Sequence, residues 1–214
     1  MNTFIFDIDG TLLDNVEGYL YGLQKTLRRH GRKIAIEDLT WTNGRAGVDS
    51  LKELGFGPAE IPVVHEEWRE DSKAFLNHVT WFPNMQKVLT QLSRHYKLGL
   101  VTSKDKPQFL EEDKKYHFSP YFETVVVAGE AKRNKPFGDP ITLARNRLGG
   151  QPDTTVYIGD TPTDAQAAAD GTKCYPPSAP PTRSRCKSCL CTRGVDNATI
   201  TRCHATHCCP PASG

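Results

Sequence analysis

Four short runs of almost unbroken apolar residues constrain this chain most: Thr3-Phe4-Ile5-Phe6, Lys97-Leu98-Gly99-Leu100-Val101, Thr124-Val125-Val126-Val127 and Thr155-Val156-Tyr157-Ile158. A strand with one wet face alternates apolar and polar side chains. These runs do not alternate, so they suit parallel strands covered on both faces. Each ends in polar or small residues: Asp7, Thr102, Gly129 and Gly159-Asp160. Helical patterns lie between them. Met85, Val88, Leu89 and Leu92 follow a 3–4 spacing, as do Ile141, Ala144 and Leu148, which Gly149-Gly150 ends. The pattern predicts an α/β fold with an open parallel sheet, which binds ligands outside the carboxyl ends of its strands.

Between the first two runs lies a stretch too long for a simple crossover helix. Val16, Leu20, Leu23 and Leu27 form one stripe; Val48, Leu51 and Leu54 a second; Ile61, Val64, Trp68, Phe75 and Val79 a third. We expect an inserted helical domain over residues 15–81. Leaving just after the first strand, it would sit over the ligand crevice and act as a lid, unless it is only a structural decoration.

The chain of 214 residues changes character near its end. All seven cysteines lie between Cys174 and Cys209, and six of the fifteen prolines follow Thr172. The overall charge is +2, but residues 172–214 carry six basic side chains against one acidic, leaving the rest negative. Large apolar side chains are too few there to offset the entropy of ordering the segment. The expected organisation is therefore an α/β core over residues 1–14 and 82–171, a helical insert over 15–81, and an irregular Cys/Pro-rich tail over 172–214. No apolar run approaches the roughly 20 residues a membrane span needs. No secretory pattern opens the sequence. The small net charge argues against nucleic acid as partner. We expect a soluble, cytoplasmic protein.

The strand ends carry the chemistry. In Asp7-Ile8-Asp9-Gly10-Thr11, residues i and i+2 on an extended chain point the same way, which would set two carboxylates side by side. They repel unless a cation sits between them or one is protonated. Both remedies suit catalysis, as nucleophile beside a divalent ion and as general acid; a solvated Asp-Gly turn is the plain alternative. Thr102 offers a hydroxyl to a phosphoryl oxygen or a helix cap. Lys135 would neutralise phosphate, or sit exposed in a loop. Asp160 adds a third carboxylate, making a hard oxygen site of the kind Mg²⁺ prefers. Asp164 is divided between that site and a helix start, with Thr161 as N-cap and Pro162 in the first turn.

Taken together, Phe6-Asp7-Ile8-Asp9-Gly10-Thr11, Leu100-Val101-Thr102-Ser103, Lys135-Pro136 and Gly159-Asp160-Thr161-Pro162-Thr163-Asp164 resemble the motifs of the haloacid dehalogenase superfamily. The likeness covers residues 2–171 and is nearest to the phosphoglycolate phosphatase group. It implies a Rossmann-like parallel sheet core with a small all-helical cap. By the same resemblance, Asp7 is the nucleophile and Asp9 the acid/base. Thr102, Ser103 and Lys135 bind phosphate. Mg²⁺ binds Asp7, the backbone carbonyl of Asp9, and Asp160, with Asp164 in support. A carboxylate at Asp9 favours phosphate chemistry over the dehalogenating branch.

In the insert, Arg45 of Asn43-Gly44-Arg45-Ala46-Gly47 could grip a substrate carboxylate or second phosphate, or be a solvated loop arginine. Trp41, Trp68 and Trp81 read as packing residues, and the histidines receive no role. In the tail, Cys186, Cys189, Cys191, Cys203, His204, His207, Cys208 and Cys209 suggest either a zinc site or a segment read out of frame. With Pro176-Pro177 where the resembled family has a fifth strand, the fourth strand is expected to be a bare, destabilising sheet edge. The expected activity is hydrolysis of a small phosphorylated metabolite, phosphoglycolate first. A sugar-phosphate mutase or pyrophosphatase, or a non-enzymatic zinc- or partner-binding module built on the tail, are the alternatives.

Overall fold

The structure is a computed structural model that describes residues 2–77, 79–171, 189–191 and 201–202, the last two segments by backbone alone. Strands β1 (Thr3–Phe6), β2 (Lys97–Val101), β3 (Thr124–Val126) and β4 (Thr155–Gly159) form where the apolar runs lie. They pair in parallel in the order β3-β2-β1-β4. Successive residues face opposite sides of the sheet. Phe6, Leu98 and Leu100 enter one core with Phe109, Phe118 and Leu89, while Ile5, Val101 and Val126 enter another with Ile141, Ala144 and Ala168. Both faces are thus apolar, which is why the strands do not alternate.

Helices α1 (Val16–Arg29), α2 (Gly47–Glu53) and α3 (Ile61–Lys73) make up the insertion. Their stripes build a third core of Leu20, Leu23, Leu27, Leu39, Leu51 and Trp68 among others. The third stripe does not run as one helix to Val79. α3 ends at Lys73, and Phe75 turns outward, 42% exposed, with its ring 5.6 Å from that of Tyr21 on α1. The chain must leave the helix there to return to the sheet. Exit and return are tied together: the Phe82 N–H donates to the Leu12 carbonyl at 2.9 Å, and the Asp14 N–H to that of Thr80 at 3.2 Å.

The core is completed by α4 (Met85–Ser93), α5 (Lys106–Tyr116), α6 (Asp139–Arg147) and α7 (Pro162–Gly171). Beyond α7, β5 (Cys189–Cys191) pairs in parallel with β4 from Tyr157 to Gly159, and β6 (Thr201–Arg202) pairs antiparallel with β5. This corrects the expectation of a bare edge at β4. A ladder needs backbone N–H and C=O groups, and Cys189–Cys191 supplies them past the prolines that block pairing at Pro176-Pro177. The zinc-site and out-of-frame readings of the tail concern side chains and segments outside the described residues. Among the described residues no helix is long and apolar enough to cross a membrane.

Candidate active site

Asp7, Thr102 and Asp160 sit just past the carboxyl ends of β1, β2 and β4, while Lys135 comes from the long loop after β3 and Asp164 from the first turn of α7. Asp7 follows β1, and its N–H donates to the Ile158 carbonyl of β4 at 2.9 Å. Thr102 follows β2, and its N–H donates to the Val126 carbonyl of β3 at 3.0 Å. The strand pairing therefore fixes both. Asp7 is 2% exposed, and Lys135 donates to its Oδ1 at 2.8 Å. The same ammonium donates to Asp164 Oδ1 at 2.8 Å and to the Tyr157 hydroxyl at 3.3 Å. Lys135 is no exposed loop lysine. Burial raises the Asp7 carboxyl well above the usual carboxylate range, with Lys135 opposing. Burial would lower Lys135, but Asp164 and Asp7 outweigh it and hold the amine more firmly protonated than usual.

Asp164 takes the helix-start role that the sequence offered and adds a hold on Lys135. Its Oδ2 accepts the Thr161 N–H and hydroxyl at the start of α7, and its Oδ1 accepts from Lys135 and Tyr157. Burial opposes ionisation, yet Lys135 and these hydrogen bonds keep its carboxyl below the ordinary value. Four donors fill the four acceptor sites of a carboxylate. Asp164 therefore holds Lys135 in place more than it offers a free oxygen.

Ligand atoms of Asp7, Asp160 and Asp164 all lie within 4.8 Å of one another. Asp160 takes a hydrogen bond from the Thr11 hydroxyl on Oδ1 at 3.3 Å. Gly10 closes the turn at φ 71°, and a Cβ there would stand 2.2 Å from the Asp160 carboxylate. Only glycine lets the two loops meet. Burial pushes the Asp160 carboxyl up to about 7, with Asp164 adding to the rise. Oxygen donors crowded in this way suit a hard divalent cation, which would relieve the repulsion.

A proton on Asp160 competes with a cation, so divalent-ion affinity should fall about tenfold per pH unit below pH 7 and flatten above it. In metal-free protein the raised value favours folding fully below pH 3.8, and that contribution is lost as the pH rises through about 7. Added divalent cation should therefore raise the melting temperature more at pH 8 than at pH 6. Calorimetric titration across that range checks this; an affinity independent of pH contradicts it.

The two aspartates of the first loop are not relieved by a shared ion or proton alone. Each has its own lysine. Asp9 Oδ1 accepts from the Lys104 ammonium at 2.6 Å and from the Asn15 side-chain amide. Its carboxylate is not among the three whose oxygens gather within 4.8 Å of one another. Lys104 escaped the sequence reading because a charged residue three places past a strand looks like surface. Tyr19 and Glu112, which also bind Lys104, lay off the apolar stripes, and Tyr157 was hidden inside an apolar run.

Asp7 and Asp9 floor a cleft with about 70 Å³ of internal space open to water. Val16, Leu20 and Trp68 give it an apolar wall, and Asn43, Gly44 and Arg45 close it from the insertion. Ser103 donates its hydroxyl to the Gly44 carbonyl at 2.7 Å, so that hydroxyl is engaged across the cleft. Arg45 reaches the cleft but is held by Glu53 at 2.7 Å and lies 5.0 Å over the Trp41 ring. His65, given no role from sequence, also lines the cleft, and burial lowers its pKa below the usual histidine range.

The chain belongs to the haloacid dehalogenase-like hydrolases, the family matching residues 4–173, and is an enzyme of their phosphatase kind. It is 26% identical over 166 residues to a pyrophosphatase, PpaX, from Oceanobacillus iheyensis, covering 77% of each chain. It is 27% identical over 179 residues to a phosphoglycolate phosphatase from Photorhabdus laumondii, covering 79% of this chain and 76% of that one. The crystal structure of a hydrolase from Pseudomonas syringae shares its fold, with a TM-score of 0.72 and 22% identity over 79% of this chain and 80% of the other.

Proposed function

We propose that the protein is a cytoplasmic, Mg²⁺-dependent phosphatase that hydrolyses a small phosphorylated metabolite, with phosphoglycolate the leading substrate, through a covalent phosphoryl group on Asp7. The carrying observation is a buried carboxylate, Asp7, gripped by Lys135 and set beside Asp160 on the floor of a small cleft. Residues 15–81 serve as the cap over a core of residues 1–14 and 82–171.

Asp7 attacks phosphorus with the oxygen that Lys135 leaves free. Lys135 stays in place, neutralising charge on the nucleophile and the phosphoryl oxygens. The Thr102 hydroxyl accepts the Lys104 N–H at 3.2 Å, which leaves its own proton for a phosphoryl oxygen. The Ser103 backbone N–H is without a partner among the described residues and joins that grip. Asp9 protonates the departing oxygen, then takes a proton from the water that hydrolyses the aspartyl-phosphate. Asp7, the Asp9 backbone carbonyl and Asp160 would hold Mg²⁺, with Asp164 in support; the ion supplies positive charge that offsets the phosphoryl group's own. Positioning and charge neutralisation carry most of the catalysis in phosphoryl transfer. At the far end of the cleft Arg45 would meet a substrate anion by giving up Glu53.

Relatives named PpaX favour pyrophosphate as the second substrate reading. Both are short polyanions, which suits the small cleft. Purified protein should turn over phosphoglycolate, pyrophosphate or a generic aryl phosphate in Mg²⁺ at about one per second or faster. Chelation should abolish this. Phosphate release distinguishes a hydrolase from a mutase, which would move the group within a sugar. Undiminished turnover in chelator, or no turnover of any phosphoester, contradicts the proposal.

A further inference from the structure

The inference rests on the phosphatase reading and deepens it. The Lys104 side chain is 3% exposed. An ammonium so buried is tolerated only when well paired. Its three N–H bonds have three acceptors: Asp9 Oδ1 at 2.6 Å, Glu112 Oε1 at 3.0 Å and the Tyr19 hydroxyl at 3.0 Å. Tyr19 in turn donates to Glu112, and its ring lies 4.3 Å from the ammonium. Lys104 has no N–H left for a phosphoryl group. Asp9 Oδ1 carries a second donor from Asn15, whereas Oδ2 has no hydrogen-bond partner among the described residues. The Asp9 side chain keeps 17% exposure and lines the cleft.

We propose that Lys104, itself fixed by Glu112 and Tyr19, is a positioning residue that clamps Oδ1 of Asp9 and leaves Oδ2 as the oxygen that exchanges a proton with the reacting ester. In the first step an Asp7 oxygen bonds to phosphorus, the ester P–O bond breaks, and the leaving oxygen takes the proton from Asp9 Oδ2. In the second, a water oxygen bonds to phosphorus and its proton goes to Asp9 Oδ2. The P–O bond to Asp7 breaks and inorganic phosphate leaves. Two of the clamping groups, Asn15 and Tyr19, come from the junction with α1 and from α1 itself, so the insertion reaches the acid/base from behind.

The readout is leaving-group dependence. An alkoxide needs the proton to depart, whereas 4-nitrophenolate does not. kcat/KM covers steps only through departure of the alcohol, so it reports the first proton transfer alone. In Lys104→Met/Glu112→Gln, which removes both buried charges together, kcat/KM for phosphoglycolate should fall about a hundredfold more than for 4-nitrophenyl phosphate. Tyr19→Phe, which keeps the ring, should shift the same ratio in the same direction by less. The second step still needs Asp9, so 4-nitrophenyl phosphate should show a burst of nitrophenolate with lowered kcat in the double variant. A ratio taken in one preparation is unaffected by any loss of folded protein. Equal losses on the two esters, or none, overturn the inference while leaving the phosphatase reading intact. Wild-type protein that turns over neither these nor any other phosphoester or pyrophosphate overturns the reading and the inference with it.

Discussion

Asp7→Asn is expected to lower turnover by at least about 10⁴-fold, because it removes the carboxylate proposed to form the covalent intermediate. The same change should leave the melting temperature equal or higher. Asp7 is buried deeply enough that its carboxyl is raised well above normal, so in the resting protein its charge is held against desolvation. Asparagine has the same shape, still offers Lys135 an acceptor and carries no charge to desolvate. Activity and stability should therefore move apart. Steady-state rates with an aryl phosphate, and a thermal melt of the same sample, check both halves. Turnover near that of wild type would remove Asp7 as nucleophile.

Lys135→Met should lose both together. Among the described residues Lys135 is the one ammonium that touches Asp7 and Asp164, at 2.8 Å each, and all three side chains are almost wholly buried. Removing one partner of a buried ion pair leaves uncompensated charge and costs roughly 3–5 kcal/mol. For a chain of this size that corresponds to a melting temperature lower by roughly 10 °C. Low pH should recover part of the loss, since a proton on Asp7 can then replace the missing cation. A Lys135→Met protein that melts like wild type and still hydrolyses phosphate would show that the lysine is neither counter-ion nor phosphate grip.

The skeleton of this protein was readable because its strands are covered on both faces. Unbroken apolar runs located β1 to β4, and the chemistry stood at their ends, where Asp7, Thr102 and Asp160 now lie. Stripes of leucine located α1 and α2. The third stripe misled because spacing alone cannot say where the chain must turn back; Phe75 keeps the register and yet packs outward on Tyr21. The electrostatic supports were not readable. Lys104 and Glu112 look like solvated charges until the fold buries them, and Tyr157 reads as an apolar strand residue until its hydroxyl meets Asp164. For Arg45 the sequence offers a substrate anion or solvent as its neighbour, and gives no sign that Glu53 will hold it.

The insertion keeps its own apolar cluster, separate from the two that flank the sheet. At the chain's return and at α1 it is anchored to the core, by Val79 and Trp81 in the sheet's apolar cluster and by Tyr19 on Lys104, whereas over the cleft the contacts are polar: Ser103 to Gly44, Asn134 to Asp49, Arg69 to Glu111. Water can replace such bonds nearly one for one, whereas it cannot replace buried hydrocarbon. On the proposed cap reading, the cleft side of the boundary is a parting line, along which the molecule would gape to admit a reactant and discharge inorganic phosphate without melting either side.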